Sequence, residues 1–195
     1  IFPHHECEIA QSEPITGERP FVRYWFHTAM VRYQGEKMSK SLGNLVMARD
    51  LLQDFSPDAL RLYLAEHHYR QPWSYEEVGL FRAGGLAAKL NAAAVALGGA
   101  RAPAVDSAGC LQTFQNALDD DLNTPVALNA LADLAESISR GAAAGRSIIQ
   151  AQEDLQRMAA VFGLRLHDGP PEDRVQTGWA AHLAEFEDGS SPKPT

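Results

Sequence analysis

The chain has 195 residues, 45% of them hydrophobic, and a formal net charge of −8. That length suffices for one or two small domains with a sizeable core. The acidic balance argues against a strongly basic nucleic-acid module, and with no run of 18 or more apolar residues no membrane span is expected.

The charge is unevenly spread. Residues 1 to 70 hold eight Lys/Arg against nine Asp/Glu, and residues 71 to 195 hold nine against sixteen. A phosphate-facing surface therefore belongs in the first third, where Arg19, Arg23, Arg32, Lys37, Lys40, Arg49, Arg61 and Arg70 fall. Cys7 and Cys110 are too few for a disulfide framework and fit a reducing cytoplasm. No signal peptide is visible. The chain opens at Ile1, directly inside a motif, and reads as part of a longer protein.

Residues 4 to 13 read as a helix opening after Pro3, with His4 and Glu8 four apart on one face. Residues 14 to 20, with Pro14, Gly17 and Pro20, read as a loop. Residues 21 to 34 are rich in aromatic and β-branched side chains and read as one or two strands ending at Gly35. A loop follows from Lys37, then a short helix from Met47 to Phe55. Ser56-Pro57 supplies a capping hydroxyl and a proline for the first turn of a helix running to about His68. Its expected apolar stripe is Ala59, Leu60, Tyr63 and Leu64, and Gln71-Pro72-Trp73 breaks it.

From Ser74 onward every pattern is helical. Ser74 with Glu77 forms a capping box for an Ala-rich helix that runs towards Leu97 and ends at Gly98-Gly99. Asp106 or Ser107 starts another, with Leu111, Phe114 and Leu118 on one face. Asn123-Thr124-Pro125 starts the next, whose Ala127, Leu128, Leu131, Leu134 and Ile138 fall at helical spacing. Gly141 to Gly145 is a small-residue break. Ile148 to Phe162 is a last helix, with Ile148, Leu155, Met158, Ala159 and Phe162 inward and Gly163 as its stop. These helices predict an antiparallel bundle over residues 71–166. Residues 167–195 lose periodicity and read as a linker and disordered tail, with a short helix around Trp179 to Phe186.

The chemistry concentrates at Lys37-Met38-Ser39-Lys40-Ser41-Leu42-Gly43-Asn44. Two lysines three apart suit phosphate oxygens, and serine hydroxyls and turn amides add donors around an anion. Gly43 and Asn44 tolerate the backbone angles of a tight turn. The segment therefore suits a mobile loop that places two cations on a polyphosphate.

Residues 37–41 resemble the KMSKS signature of class I aminoacyl-tRNA synthetases at all five positions. Phe2-Pro3-His4-His5-Glu6-Cys7-Glu8-Ile9-Ala10-Gln11-Ser12-Glu13 resembles the zinc-helix segment of cysteinyl-tRNA synthetases, Tyr24-Trp25-Phe26-His27 their YWMH step, and Asp120-Asp121-Leu122-Asn123-Thr124-Pro125 their DDxNTP element. The resemblance implies a mixed, mainly α chain: the end of a class I, Rossmann-type catalytic domain with its stem-contact region over residues 1–70, then the helical bundle.

The resemblance also implies roles. Lys37, Met38, Ser39, Lys40 and Ser41 bind ATP, with Lys37 and Lys40 as catalytic cations and Lys40 as the stronger of the two. His4 and Glu8 become two ligands of a Zn2+ that selects the substrate thiolate, because zinc prefers a soft sulfur ligand and serine offers none. The family's two cysteine ligands lie upstream and are absent here, as is its HIGH-type motif, so the missing N-terminal catalytic half is an expected partner and the chain alone is expected to be inactive. Cys7 replaces the usual asparagine and is expected as a packing variant. Trp25 and His27 either border the substrate pocket or belong to a buried aromatic strand. Asp119 to Asp121 read as the acidic end of one helix and start of the next.

The implied function is part of a cytoplasmic cysteine–tRNA ligase that activates cysteine with ATP and charges tRNA(Cys), its other partners being cysteine and ATP, with no membrane. The mycothiol-pathway ligase, which joins cysteine to glucosaminyl-inositol, shares the zinc helix and the KMSKS loop and lacks an anticodon domain; no anticodon-binding end is recognisable after Gly163. A third reading is a non-catalytic helical segment that binds tRNA or protein.

Overall fold

The computed structural model describes residues 2–166, so the linker, tail and short helix expected over residues 167–195 lie outside the described residues. Helix α1 runs His4–Thr16, past the Pro14 expected to end it. A proline in the last turn removes only one bond of the ladder; the effective stop is Gly17, left-handed at φ 73°, whose N–H reaches the Glu13 carbonyl. No residue of α1 is buried.

The strand expected over residues 21–34 survives only as β1, Val31–Tyr33. It pairs antiparallel with β2, Glu36–Lys37, setting Arg32 opposite Lys37 and Tyr33 opposite Glu36. Gln34 and Gly35 form the two-residue turn, both at positive φ, 52° and 82°, as the twist of a tight hairpin requires. The residues before Val31 find no strand to pair with and stay irregular. After β2 a single 3₁₀ turn spans Lys40–Leu42. Helix α2 is Ala48–Leu51, shorter than expected, and turns carry the chain on to Phe55.

Helix α3, Pro57–Ala65, starts as its sequence predicts: the Ser56 hydroxyl accepts from the Ala59 N–H at 3.1 Å. Ser56→Ala is expected to lower stability by about 1 kcal/mol, read as a lower denaturant midpoint at unchanged slope. The helix stops at Ala65 rather than His68. It turns Ala59, Leu62 and Tyr63 inward, whereas Leu64, expected in the stripe, is 60% exposed. Phe55, Ala59, Leu62 and Tyr63 are the set that keeps to one face at spacings of three and four.

Gln71-Pro72-Trp73 is not simply a break. Trp73–Tyr75 forms β3, parallel to β1, with Val31 opposite Trp73 and Tyr33 opposite Tyr75. The sheet order is β2-β1-β3. Ser74 is thereby a strand residue, and the expected capping box does not form: Glu76 is the N-cap of the next helix, with no side-chain cap. A three-residue strand between two helices leaves too short an alternation to read.

Helices α4 (Glu77–Val95), α5 (Ala108–Asp119), α6 (Thr124–Ala143) and α7 (Ile149–Val161) pack with α3 around one core. Helix α6 touches α3, α4, α5 and α7. It buries Ala127, Leu128, Leu131, Leu134 and Ile138 as its spacing predicts, and it runs through Gly141 instead of breaking there. Gly141 is needed for contact: a Cβ there would lie 2.2 Å from Val105 Cγ2. Two crossings are pinned by polar side chains. Gln152 Nε2 donates to the carbonyls of Ala93, Ala94 and Ala96 at 2.9 to 3.1 Å, satisfying the end of α4. The Ser107 hydroxyl donates to the buried Asp154 carboxylate at 2.5 Å, and Arg157 donates to the other oxygen.

Candidate functional site

Two half-sites stand on the first third of the chain. The first is the doubly cationic loop. Lys37 closes β2, and Lys40 opens the 3₁₀ turn. Three polar contacts fix the turn's shape. The Ser39 hydroxyl accepts from the Leu42 N–H at 3.3 Å. The Ser39 N–H donates to Asn44 Oδ1 at 2.8 Å, and Asn44 Nδ2 donates to the Lys37 carbonyl at 3.2 Å. Asn44 therefore staples both ends of the loop, a role its sequence position suggested only as tolerance of unusual angles. Gly43 does take such an angle, φ 65°. Ser39 and Ser41 hydroxyls lie 3.2 Å apart.

Lys37 and Lys40 are exposed, while Met38 and Ser39 are half-buried. Among the described residues neither lysine has a carboxylate within salt-bridge reach. Arg32 faces Lys37 across the hairpin, and like charges directly opposite one another on paired strands repel. The hairpin and the turn after it thus carry three cations, Arg32, Lys37 and Lys40, beside the one carboxylate of Glu36.

The second half-site lies on α1. His4 Nδ1 and Glu8 Oε1 are 3.9 Å apart, on one face as the spacing predicts. Two ligands of a tetrahedral zinc stand roughly 3.3 Å apart, from bond lengths near 2.0 Å, so a small side-chain rotation brings both onto one ion. Among the described residues no three His, Cys, Asp or Glu side chains gather for a metal. The pair fits one half of a zinc site and does not complete it. Cys7 is exposed among the described residues and packs against none of the core.

His5 ties α1 to the rest. Its ring stacks on Trp25 with centroids 4.0 Å apart and on His27 at 4.6 Å. Partial loss of water is the main cause that holds the His5 imidazole below its ordinary pKa. Trp25 and His27 are thus neither in a strand nor buried, since the segment around them has no sheet partner. Phe26, next to them, stacks on Tyr69 at 4.3 Å.

Asp121 is the residue that sequence reasoning missed. It is not a passive helix end. Its carboxylate accepts from Arg70 Nε at 2.6 Å and Arg70 Nη2 at 3.1 Å, and from the Tyr69 hydroxyl at 2.6 Å. The Arg70 pair, then the Tyr69 hydroxyl, bring its pKa down to about 2. Complementary charges fifty-one residues apart leave no local signal; the only clue was the run of aspartates ahead of a helix start.

A family model described as the tRNA synthetases class I (C) catalytic domain matches residues 1–84, and a DALR domain model matches residues 113–167. Sequence and fold together describe the end of a class I catalytic domain and the helical domain beyond it. The cysteine–tRNA ligase of Alkalilimnicola ehrlichii is 42% identical over 177 residues, covering 87% of this chain and 37% of that protein. The enzyme of the same name from Dehalococcoides mccartyi is 40% identical over 168 residues, covering 85% and 37%. That of Geobacter sulfurreducens is 40% identical over 200 residues, covering 94% and 41%. The chain belongs to the cysteinyl-tRNA synthetase family, and it spans well under half the length of these relatives. Among the described residues no helix is long and apolar enough to cross a membrane.

Proposed function

We propose that this chain is the part of a cysteine–tRNA ligase that carries the phosphate-binding loop, half of a thiol-selecting metal site and the helical domain. The observation that carries this reading is the loop itself. Two exposed lysines, with no carboxylate partner among the described residues, flank a turn whose shape is fixed from within by Ser39 and Asn44, in a chain similar to cysteine–tRNA ligases over most of its length. The whole protein would activate cysteine with ATP and transfer it to tRNA(Cys). Residues 1–70 would form the end of the catalytic domain and residues 71–166 the helical domain, bridged by β3. The two-cysteine composition fits a cytoplasmic setting.

In this reading Lys37 and Lys40 meet the charge that builds on the phosphates as the cysteine carboxylate attacks the α-phosphorus and pyrophosphate leaves. Met38, Ser39 and Ser41 line the same ATP contact, with Ser39 already committed to holding the turn. His4 and Glu8 would hold two positions of a Zn2+ whose other ligands come from outside this chain. That ion supplies a soft Lewis-acid site for the thiolate, a discrimination against serine that an apolar pocket does not give.

The test is cysteine-dependent ATP–pyrophosphate exchange and tRNA(Cys) charging by the full-length protein. Both activities are expected. Exchange without charging, together with ligation of cysteine to glucosaminyl-inositol, would replace this reading by the amino-sugar ligase, which the similar proteins named above do not favour.

A further inference from the structure

Residues 25–33 form a spine that both half-sites share. At one end Trp25 and His27 grip the His5 ring, and with it α1, which buries no residue of its own. At the other end β1 pairs with β2 and leads into Lys37 and Lys40. Between these ends the spine is fastened to Tyr69 twice. Phe26 stacks on the Tyr69 ring, and the Ala29 N–H donates to the Tyr69 carbonyl at 2.7 Å. Tyr69 and Arg70 are in turn held by one group, the Asp121 carboxylate, which arrives from the turn between α5 and α6.

That turn is shaped for the task. Asp121 and Leu122 both lie in the left-handed region, φ 51° and 54°, a conformation that two consecutive non-glycine residues hold only when their surroundings fix it. A glycine would join α5 to α6 with less strain. It would not present a carboxylate in the fork geometry that one guanidinium and one phenol both meet here. Arg70 also lies over the Tyr69 ring, 4.9 Å from its centroid, so the three side chains form one block.

We propose that Asp121 is a positioning residue for cysteine activation. Through Tyr69 and Arg70 it ties the spine to the helical domain, and so sets where the motif lysines and the His4–Glu8 pair stand relative to one another. The proposal rests on the functional reading given above. Asp121 touches no substrate in it. Its effect is on the placement of groups that stabilise the transition state, where a displacement of about 1 Å costs up to a hundredfold in rate.

The experiment uses the full-length protein, with active sites counted by adenylate burst. Asp121→Asn is expected to lower the per-site kcat of cysteine-dependent exchange about ten- to hundredfold, with the KM for ATP and for cysteine little changed. Tyr69→Phe, which keeps the ring on Phe26 and loses only the hydroxyl bond, is expected to act in the same direction and more weakly. In a Lys40→Ala background, Asp121→Asn is expected to cost several-fold less than it does alone, because one of the groups it places is gone. A per-site kcat for Asp121→Asn near the unsubstituted value, with loss confined to the number of active sites or the melting temperature, overturns the proposal. So does a full multiplicative effect in the double variant. A protein with no cysteine-dependent exchange, or one indifferent to Lys40→Ala, instead overturns the functional reading, and the proposal falls with it.

Discussion

Lys40→Ala in the full-length protein is expected to slow cysteinyl-adenylate formation by roughly two to three orders of magnitude, or about 3–4 kcal/mol of transition-state stabilisation. The size follows from pre-organisation. Lys40 stands at the start of a turn already closed by the Ser39 and Asn44 hydrogen bonds, so little rearrangement accompanies its meeting with phosphate. Lys40 has no carboxylate partner among the described residues and is exposed. Its removal therefore leaves folding stability nearly unchanged, since exposed charges contribute little to it. Lysine acts here as a compact point charge on a flexible stem, so Lys40→Arg is expected to recover only part of the loss. Lys37 is expected to matter less, because Arg32 opposite it supplies a second cation at that end of the hairpin. Single-turnover adenylate formation, with thermal unfolding alongside, checks all three. A wild-type rate for Lys40→Ala would remove the loop from the chemistry.

Legibility in the sequence followed the range of each interaction. Helix α6 could be read because cap, first-turn proline and apolar period are all local: Asn123 does accept from the Val126 N–H, and Leu131, Leu134 and Ile138 are fully buried. The loop could be read because its residues are contiguous. What could not be read was long-range. Trp73–Tyr75 is a strand only because Val31–Tyr33 lies beside it. Asp121 is a clamp only because Arg70 comes within 2.6 Å. The stacking of His5 on Trp25 and His27 depends on a segment whose aromatic and β-branched composition read as a strand. Pro14 misled for the opposite reason: a local rule that holds in helix interiors loses its force in a last turn already ending at Gly17.

Tyr63→Ala is expected to cost about 3–5 kcal/mol of stability, the range for losing a large buried ring. Tyr63→Phe is expected to cost about 1–3 kcal/mol, through unsatisfied polar groups alone. The two substitutions separate two functions of one side chain. Tyr63 is 3% exposed and meets His67, Trp73 and Tyr75 edge-on, with centroids 5.3 to 5.9 Å apart. Its hydroxyl donates to the Glu76 carbonyl at 3.0 Å and accepts from the Glu76 N–H at 2.8 Å. Burial accordingly pushes the phenol above its ordinary pKa. The ring fills the space between α3, β3 and the start of α4, and Gly79 is there to admit it: a Cβ on that residue would lie 2.5 Å from Tyr63 Cε2. Since β3 is the strand on which β1 and the cationic hairpin hang, loosening it reaches the motif. The Trp73 amide, which donates to the Met30 carbonyl at 3.4 Å, is expected to exchange with solvent faster in Tyr63→Ala than in Tyr63→Phe. Denaturant midpoints rank the two losses, and amide exchange at Trp73 shows whether the strand was released. Equal exchange in both variants would mean that β3 holds its register without the ring, and that the helical core stabilises the chain without placing the loop.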